Sequence, residues 1–409
     1  MRNLAFSLSL FVIFMIPWED VVTLPGIGTG VKFVGLLVAL FWVATVMATG
    51  QLRKPHPFHL MAFLYVAWNA LSILWSGNPN QTLSQIITFV QLFGLSFILW
   101  DLYTTREKVL LGLAMYLLGA YVVLGDTLIN YLAGTTFYYE RFSASGTNPD
   151  DLGGILALGV PIAWFLAGSL NTGKASFWLK TLSYPYIPVA LMGIALSGTR
   201  TALIATVPGL LFGLASLTRL QRWVRIVIFL ILLTAGYFLL PFVPLASLQR
   251  LSTTGSELAS GNLNGRIAIW RQGLISFNKH PLLGVGSNMY RSVNTAGKVL
   301  GKVAHNSFIS ILVEVGLIGL ALFGLMLLIV IIQAWSQSKW RTSFWLAVLV
   351  TWAIGATTLT WENRKHTWLF LSLVVVNANL AKPYLQSVVA AIPSMPTFSV
   401  GRKQQVYVK

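Results

Sequence analysis

A histidine and an asparagine, His305 and Asn306, stand at the head of a long apolar run, VAHNSFISILVEVGLIGLALFG, at residues 303–324. The chain contains only five histidines, and an imidazole with a pKa of about 6.5 can take a proton from a hydroxyl group at neutral pH. A histidine at a helix start also serves commonly as a cap or an interface residue, so both interpretations stand at this point. Glu314 follows inside the run, and helical spacing predicts that it points away from His305, as a structural partner within the membrane.

Two arginines lie where predicted helices begin. Arg200 follows the tight hairpin in ALSGTRTALIATVPG, residues 195–209. Arg266 lies in the first turn of a helix predicted within residues 262–290, with Asn264 as the N-cap. This helix is predicted to bury one apolar face, formed by Ile267, Trp270, Leu274 and Phe277. A cation at a helix N-terminus opposes the helix dipole unless an anion lies between them, so each arginine is either an anion-binding group or an interface residue that reaches for phospholipid headgroups.

The composition indicates that lipid is the solvent for most of the chain. Of its 409 residues, 56% are hydrophobic and only 10% are charged, and the mean hydropathy is +0.73, whereas a soluble domain carries roughly 25% charged residues. Apolar stretches of about 18 to 25 residues recur, which predicts an all-α integral membrane protein. About twelve spans are predicted, near residues 4–17, 31–49, 58–75, 82–100, 109–132, 152–169, 181–197, 201–217, 223–241, 306–334, 342–359 and 366–381. The absence of cysteine excludes disulfides and thiolate chemistry.

The distribution of lysine and arginine predicts how these spans are oriented. The connections after every second span and the C-terminal tail carry Lys and Arg, whereas the intervening short loops are poorer in them or contain acids. By the positive-inside rule, both termini face the cytoplasm and the long ninth connection lies outside. The predicted organisation is nine transmembrane helices in residues 1–241, a periplasmic loop with an amphipathic helix in 242–305, three further transmembrane helices in 306–385 and a cytoplasmic tail in 386–409.

The outer face collects cations that the topology does not explain. The net charge of +17 would suggest a nucleic-acid partner in a soluble protein, but here much of it lies in short loops, so no such partner is expected. The outer set comprises Arg141, Arg200, Arg250, Arg266, Arg271, Lys279, Arg291, Lys298, Lys302 and His305. Such a basin predicts an anionic ligand, most plausibly a phosphate-bearing lipid or glycan.

Acidic residues are predicted to be structural. Asp150 and Asp151 end the stretch RFSASGTNPDDLGG at a helix start, where capping is the expected role, although paired acids could hold a metal. No second outer acid cluster is expected to complete a metal shell, so no metal is predicted. Asp126, in the fifth span, is an intramembrane acid whose role the sequence leaves open.

Three stretches of the chain resemble the signatures of the O-antigen ligase and O-antigen polymerase superfamily. They are SGTRTALIA, NGRIAIWRQGLISFNKHPLLGVG and AHNSFISILVEVGLIGLALF, with support from NALSILWSGNPNQTL and RFSASGTNPDDLGG. Two features depart from the family pattern. The usual Pro-Asn step near the sixth span reads Asn148-Pro149-Asp150, and the last outer loop, WENRKHTW, does not by itself separate a ligase from a polymerase.

The resemblance implies a metal-independent, cofactor-free glycosyltransferase in the bacterial inner membrane, with an outer-face cavity that opens to the periplasm. Its donor would be a glycan on undecaprenyl diphosphate. By matching motifs, Arg200 and Arg266 would hold the diphosphate, and His305 would act at the acceptor hydroxyl or help to bind the donor. Further substrate-binding residues would be Arg141, Arg271, Arg291 and Asn306.

Three functions remain open on the sequence. A ligase would move the glycan to a lipid A-core sugar, and a polymerase would move it to another lipid-linked repeat unit. A transporter of lipid-linked glycan would also have many helices and cationic sites, together with membrane lipids as partners. Transporters often show paired halves and charges at the membrane midplane, whereas this chain concentrates its charge at one face, so we favour the ligase-type transferase over the polymerase, and both over the transporter.

Overall fold

Helices follow the apolar runs along the whole chain. The computed structural model describes residues 1–24, 28–137, 140–169, 174–218, 221–253, 265–295 and 301–390. The helices in these ranges are α1 (Arg2–Met15), α2 (Gly30–Thr49), α3 (Pro57–Leu71), α4 (Pro79–Leu102), α5 (Arg106–Leu132), α6 (Pro149–Ser169), α7 (Lys174–Ser197), α8 (Arg200–Leu217), α9 (Arg222–Leu239), α10 (Leu245–Ser252), α11 (Arg266–Lys279), α12 (Tyr290–Thr295), α13 (Ser307–Trp335), α14 (Lys339–Ala356) and α15 (Lys365–Ala390).

Short elements connect some of these helices. Single 3₁₀ turns follow α1, α3 and α9, at Ile16–Trp18, Ser72–Leu74 and Leu240–Phe242. A two-residue strand β1 (Thr23–Leu24) pairs antiparallel with β2 (Gly28–Thr29) just before α2.

The helical lengths and compositions confirm an all-α integral membrane protein. Among the described residues, eight helices are long and apolar enough to cross a bilayer: α2, α3 with its 3₁₀ turn, α4, α5, α6, the Leu179–Ser197 part of α7, α8 and α13. The other four predicted spans coincide with α1, α9, α14 and α15, which are not among those eight. The count of twelve spans therefore stays a prediction.

Helix α6 is the centre of the bundle, and it packs against α5, α7, α8 and α14. Small residues let its neighbours approach closely, as is usual between membrane helices. A Cβ at Gly159 would lie 2.0 Å from the Tyr186 hydroxyl, and one at Gly153 would lie 2.5 Å from the Ala202 Cβ. The first contact joins α6 to α7, and the second sets the N-terminus of α6 beside that of α8, which begins with Arg200.

Helix α13 is broken inside its apolar run, at Gly316 (φ 69°, ψ −170°). The segment HPLLGVG packs into the break and supplies the missing hydrogen bonds. The N–H groups of Val285 and Gly286 donate to the carbonyls of Val313 and Glu314, at 3.0 and 2.8 Å. In return, Leu317 N–H donates to the Pro281 carbonyl, at 2.9 Å. Irregular backbone is tolerated in a membrane bundle when its polar groups are paired in this way.

The same segment is attached to the early helices through Ser287. Its N–H donates to the Ser72 hydroxyl at 3.0 Å, and its hydroxyl donates to Asn69 Oδ1 at 2.8 Å. The Thr82 hydroxyl donates to the Ser287 carbonyl at 2.8 Å. The motif NALSILWSGNPNQTL is therefore the docking surface of HPLLGVGS.

Candidate functional site

A cavity of about 420 Å³ lies at the end of the bundle where α1 ends and α6, α13 and α15 begin. His305 lines it, together with Arg291 from α12 and with residues of the turn between α14 and α15. Its volume is within the usual range for a small-molecule site. The residues that could act on a ligand are therefore those that reach this cavity or its rim.

His305 is held in an uncommon backbone conformation, with φ at +47°. The residues on both sides of it are fixed. The Ala304 carbonyl accepts a hydrogen bond from Trp270 Nε1 at 2.7 Å. The Asn306 side chain caps α13, because Oδ1 accepts the N–H groups of Phe308 and Ile309 at 3.0 and 3.1 Å. A non-glycine residue at positive φ persists only where its surroundings enforce it, and such residues cluster at functional sites.

Asn306 was predicted to bind substrate, and its side chain is already engaged within the protein. Besides capping α13, its Nδ2 donates to the Thr357 carbonyl at 3.1 Å. The contacts support a positioning role, in which Asn306 fixes the turn that carries His305.

Helix α11 carries Arg266 as its first residue and packs against α13. Its N-cap is Gly265, in the left-handed conformation at φ 78°, and not the predicted Asn264, which lies outside the described residues. The predicted apolar face was half wrong. Trp270 and Phe277 pack inward as expected, but Ile267 and Leu274 are exposed, and the buried positions are Ile269 and Gly273. The face shifted because Tyr290 packs on Gly273, where a Cβ would lie 2.4 Å from its hydroxyl.

Arg266 meets the N-termini of α6 and α8. With Asp150, Thr199 and Thr201 it lines a small crevice, which we call the arginine crevice. Arg200, the first residue of α8, follows Thr199 directly, and its Nη2 donates to the Thr253 hydroxyl at 2.5 Å. Two arginines thus occupy first helical positions. Arg266 lines the crevice, and Arg200 lies in sequence between its lining residues Thr199 and Thr201, where free helix N–H groups also favour an anion.

The charges around His305 favour its neutral form. Burial lowers the pKa of His305 below 6.5, and the positive charge of Arg266 lowers it further, while Asp150 and Asp151 act in the opposite direction. Burial also lowers the pKa of Arg266, against the effect of Asp150. A histidine that is neutral at pH 7 and close to an arginine can accept a proton from a substrate hydroxyl.

Arg141, predicted to bind substrate, is buried at 8% exposure and engaged within the protein. Its Nε donates to the Ser197 carbonyl at 2.7 Å, and its Nη2 donates to Asp150 Oδ1 at 2.5 Å and to the Thr199 hydroxyl at 2.8 Å. Arg141 therefore holds the hairpin before Arg200 against α6.

Asp150 and Asp151 do not cap α6, contrary to prediction. The side chain of Asn148 accepts the Asp150 N–H at 2.9 Å. Asp151 Oδ1 instead accepts from Trp361 Nε1 at 2.9 Å, and its Oδ2 lies 3.7 Å from Arg364 Nη2. Local spacing suggests capping, but Asp150 is paired with Arg141, nine residues before it, and Asp151 with Arg364, from a distant part of the chain.

Acids do gather at the cavity end of the bundle, although no second acid cluster beside Asp150 and Asp151 was expected there. The cavity is lined by four of the chain's 11 acidic residues, namely Asp20, Asp151, Glu314 and Glu362. Arg364 also pairs with Asp20 at 3.5 Å, and Lys365 pairs with Glu19. No group of three histidine or acidic side chains in the described ranges is arranged to hold a metal ion.

Glu314 faces the same cavity as His305, so the prediction that it points away is wrong. The periodicity argument assumed one continuous helix, but α13 begins only at Ser307, after the turn at His305. The Glu314 carboxylate accepts the N–H groups of Asn288 and Tyr290, at 2.8 and 3.2 Å. Glu314 therefore anchors the loop before α12, which agrees with the predicted structural role.

The remaining predicted residues divide between the rim and the surface. Arg291 lines the cavity with an exposed side chain, whereas Arg271 is exposed and is not among the described residues that line the cavity or the arginine crevice. Asp126 accepts the Ser145 N–H at 2.6 Å and so fixes the loop before α6. Lys298 lies outside the described residues. The sequence argument missed Glu362 and Arg364, and the signal was the acids of WED and WENRK in a chain with few acids.

Comparisons with known proteins agree with these motifs. The sequence profile of the O-antigen ligase family matches residues 186–324, a range that includes Arg200, Arg266 and His305. The exopolysaccharide production protein ExoQ of Rhizobium meliloti (strain 1021) is 25% identical over 290 residues, which cover 66% of this chain. The match spans 63% of ExoQ, less than two thirds of that protein. The resemblance drawn from the motifs is therefore confirmed: the chain is similar to the O-antigen ligase family over residues 186–324 and to ExoQ over a longer range.

Proposed function

We propose that the protein transfers a glycan from undecaprenyl diphosphate to the hydroxyl group of an acceptor sugar, on the periplasmic face of the bacterial inner membrane. The observation that carries the proposal is that His305 lines the cavity and Arg266 lines the arginine crevice, that Leu359 lines both, and that the charge of Arg266 lowers the pKa of His305. One residue can take a proton, and the other can hold a departing anion.

The diphosphate belongs at the arginine crevice. Arg200 and Arg266 begin α8 and α11, so their guanidinium groups and the free helix N–H groups can neutralise the same anion. Diphosphate leaves readily once its charge is neutralised, and arginine forks do this without a metal ion. Burial of Arg266 strengthens the interaction, because water screens a buried charge less.

The chemical step is a direct displacement. The acceptor hydroxyl oxygen attacks the anomeric carbon of the donor sugar, and a new carbon–oxygen bond forms. The bond from that carbon to the diphosphate oxygen breaks, and the diphosphate leaves with the bonding electrons. His305 takes the hydroxyl proton, and the configuration at the anomeric carbon inverts.

Two acceptors fit this chemistry. The match to the O-antigen ligase family favours a ligase that acts on a lipid A-core sugar. The relative named for exopolysaccharide production favours a polymerase that acts on a second lipid-linked repeat unit. Analysis of lipid-linked glycans from a deletion strain separates them, because a ligase mutant accumulates long chains on the lipid carrier and a polymerase mutant accumulates single repeats.

The site assignment is tested by three substitutions in the purified enzyme. His305→Ala is expected to lower the transfer rate by about 10²–10⁴, the usual contribution of a general base. Arg200→Lys and Arg266→Lys are expected to lower it by a comparable factor, since lysine cannot form the two-pronged contact.

Matched controls are present in the chain. Arg106 is also the first residue of its helix, α5, but lies at the opposite end of the bundle, so Arg106→Lys should leave transfer unchanged. His280 is exposed, so His280→Ala should be mild. Wild-type transfer by His305→Ala, at matched expression, would leave His305 as an interface residue and refute the proposed mechanism.

A further inference from the structure

One carboxylate oxygen at the cavity wall has no hydrogen-bond donor among the residues that the structure describes. It is Oε2 of Glu362, a residue only 4% exposed. The backbone around it is fixed, because Trp368 Nε1 donates to the Glu362 carbonyl at 2.9 Å and Trp361 N–H donates to the Ser307 hydroxyl at 2.7 Å. A buried polar atom without a partner destabilises the fold unless a ligand or water donates to it.

Glu314, the second glutamate of the cavity, differs from Glu362 in its hydrogen bonds. Both carboxylate oxygens of Glu314 accept backbone N–H groups, so its hydrogen-bonding capacity serves the loop before α12. Glu362 keeps one oxygen available, and its neighbour Asn363 also lines the cavity. The carboxylate and amide of this turn are the groups that pair with sugar hydroxyls.

Charge is unevenly distributed between the cavity and the arginine crevice. In the described part of the chain, Arg266 lines the crevice but not the cavity. The cavity has two arginines of its own, yet Arg364 pairs with Asp20 and Asp151, and Arg291 has an exposed side chain at the rim. The crevice therefore suits a diphosphate, and the cavity wall around Glu362 repels one.

On the basis of the proposed function, we infer that the cavity wall formed by Glu362, Asn363 and Glu314 is the acceptor subsite. It takes a sugar ring that presents free hydroxyl groups and carries no phosphate or carboxylate. The acceptor hydroxyl would lie between this wall and His305, which lines the same cavity.

The ionisation of Glu362 is compatible with this role. Burial raises its pKa to about 7, while backbone and serine hydrogen bonds and Arg364 oppose the shift. Near neutral pH the carboxyl can accept a hydrogen bond from one sugar hydroxyl or donate to another. A phosphate or uronate in the same place would meet a second negative charge in a site shielded from water.

Binding can be measured without any transfer reaction. The full-length protein in nanodiscs is mixed with the methyl glycosides of glucose, galactose, mannose and N-acetylglucosamine, and saturation-transfer NMR reports which ring protons contact it. The charged probes are methyl glucuronide and methyl glucoside 6-phosphate. The wild-type protein should give signal from at least one neutral glycoside and several-fold less from its charged counterparts.

Substitutions then locate the signal. Glu362→Gln should weaken binding of the neutral glycoside by about tenfold, since hydrogen bonds to charged groups are the stronger ones. Glu107→Gln, an exposed glutamate at the opposite end of the bundle, is the matched control and should bind as wild type. If Glu362→Gln fails to fold, as judged by gel filtration and melting temperature, Asn363→Ala replaces it and should also weaken binding.

Three results would overturn the inference: no neutral glycoside binds the wild-type protein, the folded variant binds as well as wild type, or the charged probes bind equally well. Each of these leaves the test of His305 and Arg266 by transfer rate untouched. Conversely, loss of sugar binding in Glu362→Gln together with full transfer by His305→Ala would retain the subsite and reject the proposed mechanism.

Discussion

At the scale of single residues, the site depends on which charges have partners within the protein. Arg141 is engaged by Asp150 and by the Ser197 carbonyl, so it builds the site and is not available to a ligand in the way that Arg266 is. His305 owes its position to the capping of α13 by Asn306 and to the bond between Trp270 and Ala304. His305, the proposed base, thus lies between Ala304 and Asn306, two residues whose hydrogen bonds fix its position.

The acid limb of the pH profile follows from the pKa of His305. Burial and Arg266 lower this pKa below 6.5, against Asp150 and Asp151, and Lys302 lowers it slightly more. The neutral form acts as base, so kcat/KM should fall with decreasing pH only below 6.5. Because kcat/KM reports the free enzyme, the shift should be visible there.

A second group in the cavity, Glu362, also contributes to the pH profile. Glu362 titrates at about 7 in the same cavity, so the profile is recorded in wild type and in Glu362→Gln. An acid limb above 6.5 that persists in Glu362→Gln would contradict the assignment to His305.

Metal independence is also a prediction at the residue scale. Asp150 and Asp151 are the acids nearest to the arginine crevice, and both already pair with Arg141, Trp361 or Arg364. Purified enzyme should therefore retain full transfer activity after treatment with EDTA. Loss of activity that Mg²⁺ or Mn²⁺ restores would instead make these two aspartates a metal site.

At the scale of elements, the break in α13 is the feature on which the cavity depends. Its Gly316 brings HPLLGVG against the helix, and this contact sets Glu314 against the N–H groups of Asn288 and Tyr290. The loop also carries Ser287 to α3 and α4. Three parts of the chain thus meet through backbone contacts that only glycine permits at Gly284 and Gly316, where a Cβ would lie 2.4 and 2.1 Å from a carbonyl oxygen.

Gly316→Ala should therefore destabilise the cavity end of the bundle. Its φ of 69° and ψ of −170° are accessible almost only to glycine, and a strained residue of this kind costs about 1–3 kcal/mol before the clash with the Leu282 carbonyl is counted. A lower melting temperature in detergent and reduced transfer are expected. Gly324→Ala, in the same helix but with open space around the Cβ position, is the control and should melt as wild type or slightly higher. Equal melting temperatures for both variants would mean that the break tolerates a side chain.

Sequence patterns predicted the positions of the helices better than the contacts between segments that are far apart in the chain. Apolar length alone located the helices, because lipid leaves a spanning chain few alternatives. Apart from Glu314, the run around Gly316 is apolar, so its hydropathy does not mark the break. The segment HPLLGVG, which packs into the break, comes from another part of the chain and leaves no sign in the run itself. The role of Glu362 was hidden for the same reason, since Asp20, Asp151 and Glu362 come from three separate parts of the chain. Arg200, Arg266 and His305 could be predicted as candidate site residues because each lies at or just before a helix start, in a recognisable motif.

At the scale of the whole molecule, the bundle places its polar cavity at one end and apolar helices behind it. In the proposed reaction, a lipid-linked donor keeps its tail in the bilayer while its sugar and the acceptor stay in water, so the reacting atoms meet near the interface. At the cavity end of the bundle, Arg364 joins α1, α6 and α15 by its contacts with Asp20 and Asp151. The ion pairs that join these helices and the residues of the proposed reaction therefore lie at the same end of the protein.

The orientation of that end in the membrane is the last prediction. Arg219 precedes α9, and Arg222 and Arg225 lie in its first turn, so the positive-inside rule assigns this end of α9 to the cytoplasm and the α11 region to the periplasm. Because the chain has no cysteine, single-cysteine variants report the side directly. In spheroplasts, a membrane-impermeant maleimide should label Asn278→Cys at once and Gln221→Cys only after the membrane is disrupted; both side chains are exposed, so disruption serves as the control for reactivity. The reverse pattern would place the cavity in the cytoplasm and remove the basis for a periplasmic acceptor.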